Sequence, residues 1–420
     1  MPIVDDFRLR LGSFELVPIV IGGMGVDIST EGLAQEASRL GGVGHISDAM
    51  IAFVSDRNFK TRFTQGKIAL HKAWSDRSDK SGIHFDLEAI RQAQLNHVRS
   101  TMDKKTGAGA IFINVMEKLT MADPAGTLRA RLRAALDGGI DGITLSAGLH
   151  TGSLQHIADH PRFRDALLGI VVSSTRALQI FLRRAKQLSR LPDYVVVEGP
   201  LAGGHLGFGA DWKRFSLKTI TAEVLDFLKK QGLSIPVIPA GGIFTGTDAT
   251  EALQSGAGAV QVATRFTVTK ECGLAPEVQQ SYFAASEQDV VVSTTSPTGY
   301  LIRMLKNSPC LDSNVKPMCE GFGYLLDGEG RCSYLDEYEK TALDANGRRG
   351  PVHEKVCLCY HFSRNNCFTC GHYVYRLKDT TTREADGSYR ILSAEHVFQD
   401  YQFSRDHALA LPDSPEQSRA

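Results

Sequence analysis

Short apolar runs alternate with segments of helical periodicity along the first two thirds of the chain. VPIVI (17–21) runs into GGMG, and STEGLAQEASRLGG follows, with Ser29 or Thr30 placed to cap a helix and glycines at 41 and 42 placed to end it. The same alternation predicts further strands near 43–46, 110–115, 140–145, 169–173, 194–198, 235–240 and 258–263. Helices are predicted near 87–104, 125–138, 152–159, 176–189, 217–231, 247–255 and 274–286, and a long polar connection near 50–86 reads as an insertion. Eight strands, each followed by a helix, over about 285 residues predict an α/β chain closed into a parallel (β/α)8 TIM barrel. A doubly wound open sheet is the competing architecture.

Composition narrows the class. With 42% hydrophobic residues, 22% charged residues and 40 glycines in 420, the chain can build a full core. Its formal net charge is zero, which argues against nucleic acid or a membrane surface as partner. The start, MPIVDDFRLR, lacks the basic-then-apolar plan of a signal peptide, and the expectation is a cytoplasmic protein. Oligomeric state leaves no trace in the pattern.

Two strand ends carry the most specific chemistry. PVIPAGGIFTG and SGAGAVQVATRF fall where strands seven and eight of a barrel end, the usual place for a phosphate held by backbone N–H groups. Gly241 and Gly242 let the backbone approach closely, while Ala263 and Thr264 supply a second set of donors. The stretch VVVEGPLAGGHLG places His205 in a glycine-dense turn at the mouth of a buried strand. A neutral imidazole there can take a proton from carbon or return one. His150 and His45, at or near other strand ends, suit loop and packing roles.

The segments PIVIGGMG, IFINVM, EGPLAGGHLG, PVIPAGGIFTG and GAVQVATRF, in this order over about residues 15 to 290, resemble the nitronate monooxygenase (2-nitropropane dioxygenase) family and the similar flavin-type enoyl-acyl carrier protein reductases. The resemblance implies an FMN-binding TIM barrel. It implies that Gly23, Met24, Gly25 and Asn114 lie along the flavin ring and that Gly203 and Gly204 border it. Gly241, Gly242, Gln261, Ala263 and Thr264 correspond to the phosphate end, and His205 to the histidine facing substrate. Ile21, Leu201 and Ala263 replace residues the family often has as glutamine, glutamate and glycine, and SAGLH lacks a proline common there. These changes spare the flavin frame more than the substrate face.

Beyond residue 290 the alternating plan stops, which divides the chain into a barrel, 1–290, and a Cys-rich C-terminal extension, 291–420. Four thiols in CLCYHFSRNNCFTCGH, Cys357, Cys359, Cys367 and Cys370, have a spacing that suits one metal site, either zinc or an iron–sulfur cluster; free buried thiols and disulfides are the alternatives. The leading expectation is an FMN-dependent oxidoreductase acting on a nitronate or similar small molecule with oxygen. An NAD(P)H-dependent enoyl-thioester or alkene reductase is the first alternative, and a non-catalytic redox-sensing module with an electron-transfer partner is the second.

Overall fold

The computed structural model describes residues 2–117, 123–323 and 331–406. Eight parallel strands close into a barrel in chain order: β1 (Ile19–Ile21), β2 (Val43–Ser47), β3 (Ala110–Met116), β4 (Gly142–Ser146), β5 (Leu167–Val172), β6 (Tyr194–Glu198), β7 (Val237–Ala240) and β8 (Val260–Val262). β8 pairs with β1 through Val260–Ile19, Gln261–Val20 and Val262–Ile21, so the sheet has no edge and the open alternative is excluded. The fold is the expected TIM barrel. Val195, Val196 and Val197 of β6 are fully buried, because one face of the strand meets the barrel interior and the other meets helices.

The helices are α1 (Glu31–Arg39), α2 (Ile51–Phe59), α3 (Phe63–Leu70), α4 (Leu87–Asp103), α5 (Pro124–Asp137), α6 (Thr175–Gln187), α7 (Leu217–Lys230), α8 (Gly246–Gln254) and α9 (Pro276–Ala284). Side-chain caps start many of them: Thr30 accepts from Leu33 N–H, Asp86 from Glu88 and Ala89 N–H, and Ser174 from Ala177 N–H. Two expectations need correction. The 50–86 connection contains α2 and α3, whose mixed polar and apolar faces hide the period. Near 152–159 only a short 3-10 turn, Ser153–His156, forms, and a second one, Pro161–Phe163, follows it.

A hairpin of Leu9–Leu11 and Phe14–Leu16 plugs the N-terminal end of the barrel, where Leu9, Leu11 and Leu16 pack with Val20, Phe112 and Tyr194. Above this layer His45 is fully engaged: Nδ1 lies 2.8 Å from Ile21 O and Nε2 2.6 Å from Thr144 Oγ1, which in turn lies 2.5 Å from the Tyr194 hydroxyl. Burial holds its pKa at about 4, so the imidazole is neutral.

The chain after the barrel folds back onto it. Strands β9 (Val290–Ser293) and β10 (Ile302–Leu305) pair antiparallel, and β10 also pairs with Gly204–His205. Helices α10 (Ser333–Lys340) and α11 (Leu358–Phe362) follow. The last helix, α12 (Ala394–Phe403), buries Val397, Phe398 and Tyr401 against β1, β8, α1 and α8. No helix among the described residues is long and apolar enough to cross a membrane.

Candidate active site

The residues singled out in the sequence ring the C-terminal end of the barrel. The loop after β1 carries Gly23, Met24 and Gly25, and buried Ser29 pins it: its hydroxyl accepts from Met24 N–H at 2.8 Å and donates to Gly22 O at 3.0 Å. A Cβ on Gly23 would lie 2.4 Å from Asn114 Cβ, and one on Gly25 would lie 2.5 Å from Ala49 Cβ. The loop glycines thus bring β1 against β3, with Asn114 half-buried at the contact. Gln261 reaches across from β8, its side chain 3.2 Å from where a Cβ on Gly22 would stand.

On the opposite arc, Gly241 and Gly242 follow β7 with φ of 96° and 89°, a region where a side chain is strained. A Cβ on Gly241 would meet Ala202 N at 2.8 Å, so this turn lies against the β6 turn. Ala263 and Thr264 follow β8. Among the described residues, Gly242 N–H and Ala263 N–H make no hydrogen bond. Such N–H groups beside a glycine turn and the start of a helical turn suit a phosphate, and the residues present therefore fit an FMN phosphate.

The post-barrel chain covers the β6 turn. Gly203 packs on the Cys370–Gly371 backbone, His372 N–H donates to Leu201 O at 3.1 Å, and a Cβ on Gly371 would fall 2.2 Å from Thr264 Oγ1. Gly204, at φ 69°, leaves open space on its own Cβ side. His205 Nε2 lies 2.7 Å from Ser296 Oγ, which meets Thr298 Oγ1 at 2.7 Å, and the Phe362 ring stands edge-on to the imidazole. Removal from water lowers the His205 pKa to about 4 and keeps the ring neutral. His150, by contrast, spends both ring nitrogens on Ser153 Oγ and Ser146 O, which is the loop role expected of it.

Three groups at this face were missed in the sequence. Glu198 ends β6, and burial pushes its carboxyl up to about 7 while the Arg303 guanidinium pulls the other way. A carboxylate closing an otherwise apolar strand was the available signal. Arg303 is fully buried; it donates from Nη2 to Pro200 O at 2.8 Å and from Nη1 to Ala202 O, and its guanidinium lies 4.8 Å from the Trp212 ring. Ser296 has no sequence signal, since it approaches His205 only through the tertiary fold.

The cysteine expectation is corrected. Among the described residues, no three His, Cys, Asp or Glu side chains are grouped to hold a metal ion. Cys357 and Cys359 pack with Met50 and Phe322, Cys367 with Cys310 and Met304, and Cys370 with Leu305 and Tyr282. Helix α11 places the first pair in one apolar cluster, and the chain after it sends Cys367 and Cys370 into two others. No disulfide joins these cysteines among the described residues, and burial raises Cys357 and Cys370 to about 12.

The comparisons agree with this architecture. The structure is similar to FabK from Thermotoga maritima, at TM-score 0.53 and 20% identity over 91% of each chain. It is also similar to the nitroalkane oxidase of Streptomyces ansochromogenes, at TM-score 0.56 and 17% identity over 92% of this chain and 95% of that one. In sequence it is 31% identical over 155 residues to the (3aS,4S,5R,7aS)-5-hydroxy-7a-methyl-1-oxo-octahydro-1H-indene-4-carboxyl-CoA dehydrogenase of Mycobacterium tuberculosis, which is 37% of this chain and 41% of that protein. The chain matches less than half the length of such curated relatives. The nitronate monooxygenase family model matches residues 100–318, more than half of the 420, and the chain belongs to that family, a family of FMN-dependent oxidoreductases.

Proposed function

We propose that this protein is an FMN-dependent oxidoreductase that oxidises a nitronate, or a similarly activated small molecule, with oxygen. The observation that carries the reading is a neutral imidazole, His205, held on the glycine turn after β6 beside the strand ends that suit a flavin. Gly241, Gly242, Ala263 and Thr264 would hold the phosphate, Gln261 would lie beside them, and Gly23, Met24, Gly25, Asn114, Gly203 and Gly204 would border the ring. Bound there, FMN supplies the two-electron chemistry.

The chain's own residues do the rest. His205 accepts the proton of the carbon next to a nitro group, and the Thr298–Ser296 hydroxyls orient its ring for that transfer. A substrate that enters already as a nitronate anion needs no such base. His205→Ala therefore lowers turnover of the neutral nitroalkane by roughly 10²–10⁴-fold while nitronate turnover falls much less. Equal losses on both forms would remove His205 from proton transfer.

A second reading, reduction of an enoyl thioester or related alkene with NAD(P)H, draws support from this chain's structural similarity to FabK. Mixing the purified enzyme with NADPH and, separately, with nitroethane under anaerobic conditions separates the two. Bleaching of the flavin band by nitroethane alone supports the oxidase reading, and bleaching by NADPH alone supports the reductase. Measurable turnover of any substrate would remove the third reading, a non-catalytic redox-sensing module.

A further inference from the structure

The basic 50–86 connection turns one of its cations inward. Lys67, on α3, places its ammonium 3.6 Å from the centre of the Phe85 ring, and no carboxylate lies within ion-pair distance among the described residues. The nearby carboxylate, Asp56 on α2, is engaged elsewhere: it accepts from Thr61 Oγ1 at 2.7 Å, Phe63 N–H at 2.7 Å and Thr64 N–H at 2.8 Å. Burial drives the Lys67 pKa down to about 7, against the weaker opposing influence of Cys359, Cys319 and Asp56.

A second group in the same place lacks a partner. Thr64 is 5% exposed, and its Oγ1 makes no hydrogen bond. Both residues line one cavity of about 30 Å³, walled by Phe53, Phe85 and Phe322, and Arg131 also lines it. Arg131 is neutralised by buried Asp48 at the end of β2 and donates to Met116 O at the end of β3 at 3.0 Å. The cavity therefore borders the same barrel face as the flavin-facing loops. A water needs about 10–15 Å³ of such space, so the cavity suits two or three heavy atoms.

We propose that Lys67 and Thr64 form a subsite for the planar head of a small monoanion, a carboxylate or a nitrite-like ion. An ammonium without a counter-ion and an unused hydroxyl donor face one small cavity whose remaining walls are largely apolar. An anion there satisfies both at once. The anion is either free or the far end of a substrate, and the inference does not depend on which reaction the flavin site performs.

The test uses the full-length enzyme with sodium acetate and sodium nitrite as probes. Mass-spectrometric footprinting of lysines with acetic anhydride is read at Lys67, and the thermal midpoint is followed as either salt is raised against sodium chloride at matched ionic strength. Saturable protection of Lys67 by several-fold, with a rise in midpoint, is expected. Lys67→Met, which replaces the desolvated cation by an apolar chain of similar length and keeps the fold, abolishes the rise, and Thr64→Val weakens it. No saturable protection in the parent, or an undiminished rise in Lys67→Met, overturns the proposal. Given binding, a KM increase in Lys67→Met confined to a nitroalkane with a terminal carboxylate assigns the anion to substrate, and equal KM values with and without that carboxylate assign a free ion.

Discussion

A neutral imidazole at His205 follows from its position beside β10 and Phe362, where an imidazolium would lose much of its hydration without gaining a counter-charge. Desolvation, not the Ser296 hydroxyl, sets its pKa, and this separates the two contributions experimentally. If His205 is the base, kcat/KM for a neutral nitroalkane falls as pH drops through about 4, where the ring takes up its proton. Ser296→Ala keeps that acid limb in place but lowers kcat/KM by about tenfold, because the ring loses its orienting bond. His205→Ala removes the limb. A pH–rate profile measured for all three proteins decides the point, and a limb that survives in His205→Ala assigns it to another group. His45, buried and neutral for the same reason, lies deeper along the barrel axis and is bonded at both ring nitrogens, so it supports the strand ends without facing the mouth.

At the scale of elements, the glycine turn after β6 owes its shape to a strand from outside the barrel. β10 pairs with Gly204–His205, and from it Arg303 reaches under the turn to the carbonyls of Pro200 and Ala202. Both acceptors would lose their partner in Arg303→Met, at a cost of about 2–4 kcal/mol in stability. The turn should then become susceptible to protease between β6 and α7, with far-UV circular dichroism of the barrel preserved. A melting temperature and digestion pattern identical to the parent would deny Arg303 this clamping role. The elements of the post-barrel chain are short, and apolar clusters anchor them where metal ligation was expected. Cys357, Cys359, Cys367 and Cys370 contribute to three of those clusters as small hydrophobic side chains.

For the molecule as a whole, the barrel interior makes stability depend on pH. His45 has a folded pKa of about 4 against an ordinary value of 6.5, so the unfolded chain binds the proton more readily in that interval. The stabilisation present at neutral pH is therefore lost as pH falls from 6.5 toward 4, by roughly 2 kcal/mol between about pH 7 and about pH 5. Denaturant titrations at the two pH values should show a smaller drop for His45→Gln than for the parent, and an equal drop would mean that His45 carries no such linkage. The amino-acid sequence by itself determined the eight strands, since a strand buried on both faces must be largely apolar, as in Val195–Val197, and the helices between them that have a clear 3.6-residue period. It also marked the glycine turns after β1, β6 and β7, because backbone at positive φ or in close contact demands glycine. It did not show α2 and α3, whose apolar positions are shared between the barrel and the returning tail, nor the separation of the cysteines, since spacing along a chain does not say which way successive side chains point. Ser296 against His205, Arg303 under the β6 turn and Lys67 turned inward beneath Phe85 were decided by tertiary structure alone. Each depends on residues far apart in the chain being packed together, and no local propensity records that.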